Sequence, residues 1–105
     1  MATDKKFIEA VIEKLQPLEI TAKPIFGEYG LYHHGKNFAL VCNNTLFVKV
    51  TTAGATIAGR VGQAPPYDGA KPAYRISTAK LNDRDWIILL VTATSDALPL
   101  PKKKK

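Results

Sequence analysis

Cysteine is nearly absent from this 105-residue chain: Cys42 stands alone, so no disulfide can close within it and a cage of several thiolates is excluded. Histidine occurs only as the adjacent pair His33-His34, and tryptophan once, at Trp86. No apolar run is long. The longest, Trp86 to Val91, falls far short of the roughly 20 residues a membrane-spanning helix requires. The chain does not open on a basic stretch followed by an apolar one, and the expectation is a cytoplasmic protein with no membrane partner. Acidic side chains are the scarcer charge, nine against fifteen basic ones, for a formal net charge of +6.

What is present fits one domain, 1–98, followed by a Pro/Lys tail, 99–105. Hydrophobic content of 46% and charged content of 23% are those of a globular chain. The position of the positive charge matters more than its sum. Lys102, Lys103, Lys104 and Lys105 end the chain; without them 11 basic side chains face 9 acidic ones and the body carries +2. Behind Pro99 and Pro101 such a block reads as a disordered, solvated tail with a weak, salt-sensitive attraction to any polyanion.

Phe7, Ile8, Val11, Ile12 and Leu15 recur at helical steps, which predicts an amphipathic first helix over about residues 4–16, capped by Thr3 or Asp4 and ended by Pro17. Ile20 to Phe26 reads as a strand held to a sheet edge by Pro24, with Glu28-Tyr29 as a turn or bulge between Gly27 and Gly30. His34-Gly35 and Asn43-Asn44 are each placed as two-residue hairpin loops. The register that follows pairs His33 with Lys36, Leu31 with Phe38, Tyr29 with Leu40, Val41 with Leu46 and Ala39 with Val48. One face then collects Tyr29, Leu31, Phe38, Leu40, Cys42 and Phe47, the other Tyr32, Ala39, Val41, Leu46, Val48 and Val50. Both faces are apolar, so both need cover.

A weak helix is expected between Thr51 and Gly62, a surface loop from Gly62 to Pro72, and a fifth strand over Ala73 to Ser77 with Tyr74 and Ile76 on one side. Asn82 is the expected N-cap of a last helix ending near Leu98, with Leu81 stapled to Trp86. The fold class is α+β in two layers: one antiparallel sheet of about five strands with the N- and C-terminal helices packed on it.

Candidate chemistry is thin. His33 and His34, as neighbours on a strand, point to opposite faces and read as a turn-exposed pair; Cys42 lies roughly 20 Å along the next strand at about 3.4 Å per residue. No metal ligand set emerges. Cys42 beside Leu40 reads as a small core side chain rather than a nucleophile, and Ser77 and Ser95 lack a nucleophile's context. Tyr29, Tyr32, Phe38 and Phe47 interleave with only Lys36 and Lys49, which favours packing over base stacking. Catalytic, cofactor and metal residues are therefore none.

The run Phe26-Gly27-Glu28-Tyr29-Gly30-Leu31-Tyr32, then Gly35-Lys36 with Phe38-Ala39-Leu40, then Leu46-Phe47-Val48-Lys49-Val50, resembles the N-terminal domain of the TfoX/Sxy competence regulators. The similarity spans about residues 4–81, with weaker echoes at Pro66-Tyr67 and Lys71-Pro72. It implies a non-enzymatic α+β module of bacterial regulators of DNA-uptake competence, thought to act with the transcription machinery. Its motif positions here are Phe26, Gly27, Tyr29, Gly30, Leu31, Tyr32, Gly35, Lys36, Phe38, Ala39 and Lys49. Full-length members carry a second, C-terminal domain, and this chain is expected to stop before one. The segment Trp86 to Val91 departs from the family's charged, Glu-rich pattern and adds apolar surface to be buried within or between subunits.

The expected function is protein interaction without cofactor or catalysis, with a protein partner, for instance transcription machinery, or a second copy as a homodimer or other homo-oligomer. The alternative is a small nucleic-acid-associated regulator with Lys23, Lys36, Lys49, Lys71 and Lys102, Lys103, Lys104 and Lys105 on phosphates.

Overall fold

The first helix, α1 (Lys5–Lys14), places Ile8 and Val11 in the core along the stripe its periodicity predicts, with Leu15 buried just beyond its end. The structure is a computed structural model that describes residues 4–16, 18–25 and 28–98. Asp4 stands at the N-cap without a side-chain cap bond; its backbone N–H instead donates to Asn44 Oδ1 at 2.8 Å. Thr3, Pro17, Phe26, Gly27 and the tail 99–105 lie outside the described residues.

Six strands form one antiparallel sheet in the order β1-β2-β3-β4-β6-β5: β1 (Ile20–Ile25), β2 (Glu28–His33), β3 (Lys36–Cys42), β4 (Thr45–Val48), β5 (Gln63–Ala64) and β6 (Ala73–Ile76). Pro24 occupies the β1 edge, where its missing donor costs no ladder bond. Glu28 and Tyr29 are not a turn or bulge. They are strand residues paired with Ile25 and Pro24. Gln63–Ala64, inside the stretch expected as loop, pairs with Tyr74 and Ala73 as a sixth strand too short to carry a sequence pattern.

Both two-residue hairpin loops form. His34 and Gly35 take φ of 53° and 78°, Asn43 and Asn44 take 50° and 56°, the left-handed pair that such loops demand. The register around Asn43-Asn44 is the expected one, Val41 with Leu46 and Ala39 with Val48. Around His34-Gly35 it holds for His33 with Lys36 and on to Tyr32 with Asn37. A bulge then leaves Phe38 over, so Leu31 faces Ala39 instead of Phe38 and Tyr29 faces Val41 instead of Leu40. Asn37 makes the bulge: its side-chain Nδ2 donates to the carbonyls of both Leu31 and Ala39 at 3.0 Å.

That one extra residue reassigns the faces. Leu31 and Phe38 join Ala39, Val41, Leu46 and Val48 in the main core, with Tyr74 and Ile76 from β6, and Tyr29 packs against it. Leu40, Cys42, Phe47, Ala64 and Ala73 form a separate, smaller cluster to which no helix contributes. All helical cover lies over the main core: α1, α2 (Thr52–Ala58) through Ala58, α3 (Thr78–Leu81) through Leu81, and α4 (Arg84–Ala97) through Ile87, Leu90 and Val91. Each fully buried side chain of this size contributes about 1.5–3 kcal/mol.

Thr51 caps α2 by accepting from the Gly54 N–H at 2.9 Å. The last helix starts one residue later than expected, on Asp83, whose Oδ1 accepts from the Trp86 N–H at 3.4 Å. Asn82 is instead the C-cap of α3, a one-turn helix capped by Ser77, and Leu81 belongs to that helix rather than to a staple position. Trp86 Nε1 donates to the Ile57 carbonyl at 3.1 Å and so ties α4 to α2.

Candidate functional site

Strand alternation sends Phe47 and Lys49 to the side of the sheet away from the helices, because Leu46 and Val48, which alternate with them, point into the core. The Lys49 N–H donates to the Phe38 carbonyl at 2.9 Å, which extends the β3–β4 pairing and holds that side-chain direction. On this second face the cover is the loop 65–72. It reverses at Tyr67–Ala70, where the Ala70 N–H reaches the Tyr67 carbonyl at 3.1 Å and Gly69 supplies a φ of 86° that an L side chain rarely adopts.

Between loop and sheet opens a groove of about 450 Å³. Leu40, Phe47 and Val50 form its apolar floor, Tyr67 its wall, and Lys49 and Lys71 its cations. No acidic side chain is among its described lining residues. Among the described residues the exposed large hydrophobics are Val50 at 44%, Tyr67 at 50% and Leu89 at 59%; the first two line this groove. Burial draws the Lys49 ammonium below its ordinary pKa. A half-buried cation between apolar walls favours an anionic partner group.

The resemblance residues divide between fold and groove. Leu31, Phe38 and Ala39 are core, Tyr29 packs on its margin, Gly30 is buried in β2, and Gly35 serves its turn. Tyr32 lies under the Lys23 ammonium, 5.3 Å from the ring centroid. Lys36 reaches α4 and donates to the Ser95 carbonyl at 3.0 Å, whereas Lys49 and Lys71 line the groove. Pro66-Tyr67 and Lys71-Pro72, the weaker echoes in the sequence, are the groove's far wall. Val50, expected on the face of Leu46 and Val48, instead lines the groove beyond the end of β4, and Leu98 completes the lining.

His33 departs from its expected exposure. It is buried, its Nδ1 lies 3.1 Å from Ser95 Oγ, and His34 stacks on it with ring centroids 4.0 Å apart rather than pointing to the opposite side. Burial foremost, and then the neighbouring His34, hold the His33 pKa below its ordinary value. Cys42 is buried in the smaller cluster, as expected; burial, then the Glu28 carboxylate, push its thiol pKa up, which disfavours the thiolate a nucleophile needs. No group of three or more His, Cys, Asp or Glu able to hold a metal occurs among the described residues. No helix among them is long and apolar enough to cross a membrane.

The described residues form an α+β domain whose second sheet face carries an open groove with an apolar floor. The TfoX N-terminal domain model matches residues 13–98, most of the chain, and the chain belongs to that family. No curated protein gives a significant match.

Proposed function

We propose that this domain is a non-enzymatic protein-interaction module of the competence-regulator kind, which recruits a partner protein through the groove on its second sheet face. The occupant is a segment of a different, acidic protein. The supporting observation is that Val50 and Tyr67, large hydrophobic side chains 44% and 50% exposed, line one groove whose charges among the described residues are Lys49 and Lys71. Lys49 and Lys71, with no acidic side chain among the described lining residues, favour a partner segment of opposite sign.

Site-specific crosslinking in the cell of origin tests this reading. A photoreactive phenylalanine replacing Tyr67 is expected to give a discrete adduct with one acidic protein, while the same group at Leu89 on α4 gives none. The purified partner should then bind the wild-type domain and lose affinity for Val50→Asp. Adducts only with a second copy, or equal adducts from both positions, would refute the proposal.

A further inference from the structure

Lys49 is the one groove cation whose backbone is fixed in the sheet ladder, through its N–H on the Phe38 carbonyl, and it lies on the same strand face as Phe47. Its side chain is half-buried, and among the described residues no acidic group lines the cavity it enters. Lys71 stands on the loop side and is exposed. A cation in such a place loses hydration without gaining a counter-charge from the described lining, and a ligand carboxylate supplies one.

We infer that Lys49 is the specificity residue of the groove: it selects segments in which a carboxylate directly follows an apolar side chain, holding the carboxylate on Nζ while the apolar group is seated between Val50 and Tyr67. The inference rests on the protein-docking reading above and narrows it to acidic-apolar sequence. The apolar floor separates this ligand from a nucleic-acid backbone, whose phosphates would gain the cations but leave Leu40 and Phe47 without an apolar partner. A bound carboxylate also stabilises the ammonium that burial disfavours, so the selectivity is greatest below the Lys49 pKa and fades above it.

Fluorescence anisotropy on the intact chain with three labelled probes tests it: a short alternating Leu-Glu peptide, its Leu-Gln counterpart and an oligothymidylate. The Leu-Glu peptide is expected to bind about tenfold tighter than Leu-Gln at low salt, with the margin shrinking as salt rises. Lys49→Gln should bring the two peptides to near parity; Lys71→Gln, at an exposed position, should narrow the margin less. Thermal unfolding of both variants verifies that each is folded. Equal wild-type affinities for the two peptides would overturn the role of Lys49 while leaving protein docking intact. Failure of both peptides to bind would overturn docking as well, and tighter binding of the oligothymidylate, dependent on Lys49, would replace the peptide by a polynucleotide.

Discussion

His33 and Ser95 meet inside the protein, Nδ1 to Oγ at 3.1 Å, and so join the first hairpin to the last turn of α4. Lys36 adds a second tie by donating to the Ser95 carbonyl. The groups acting on His33 are His34 and Lys36, which oppose its protonation, and Asp96 and Glu19, which favour it; burial outweighs them and lowers its pKa from the ordinary 6.5. The unfolded chain therefore takes up this proton at a higher pH than the native one. The resulting stability is present above 6.5 and is lost as pH falls through the lowered native value. Thermal unfolding should show a midpoint that drops as pH falls below 6.5, with a smaller drop in His33→Gln. An unchanged slope in that variant would show that other groups carry the acid sensitivity.

Asn37 sets the register of the first hairpin by bonding to the Leu31 and Ala39 carbonyls on either side of the bulge. Asn37→Ala leaves both without that donor and should lower stability by about 1–2 kcal/mol in urea unfolding. Asn37→Asp should be no better, because a carboxylate cannot donate to a carbonyl. A neutral effect of both would mean that Phe38, not Asn37, holds the bulge in place.

Much of this architecture was legible because the two hairpin loops have strong local chemistry: Gly35 and the Asn43-Asn44 pair tolerate the positive φ that the turns require. The bulge was not, since nothing in Asn37-Phe38 distinguishes a regular strand from one with an inserted residue until the Asn amide finds its two carbonyls. Its consequence was large for the site: with Leu31 and Phe38 turned into the main core, only Leu40, Cys42 and Phe47 of the expected face remain opposite the helices. Lys49 and Tyr67 were visible as family residues, but their meeting across one groove depends on a loop whose path leaves no periodic trace. His33 was misread because burial of a turn-flanking histidine depends on Ser95, sixty-two residues away.

Gly54 and Thr94 are in close contact where α2 crosses α4. A Cβ at Gly54 would come 2.9 Å from Thr94 Oγ1 and 3.0 Å from Thr51 Oγ1, the cap acceptor of its own helix. Helix propensity favours Ala by about 1 kcal/mol, but the clash falls on buried and cap-bound atoms, so Gly54→Ala should be net destabilising by about 1–2 kcal/mol. Thr94 Oγ1 is itself buried without a hydrogen-bond partner. Thr94→Val keeps the shape and removes that hydroxyl, and should raise stability by about 1 kcal/mol. Calorimetric unfolding of the two single variants checks both signs, and a stabilising Gly54→Ala would mean that the helix pair can separate at little cost.

Charge reversal at one apolar position separates docking from folding. Val50 is 44% exposed at the groove, so replacing it should shift stability by no more than about 0.5 kcal/mol. Val50→Asp sets a carboxylate close to where the acidic occupant would pair with Lys49, and affinity for the partner or for the Leu-Glu peptide should fall by about tenfold or more. Val50→Lys removes the same apolar contact but adds a favourable charge, so its loss should be distinctly smaller. The difference between the two variants isolates the electrostatic part of recognition, because both sacrifice the same valine surface. If Asp and Lys reduce binding equally, the groove selects by shape alone, and Lys49 has no part in choosing its ligand.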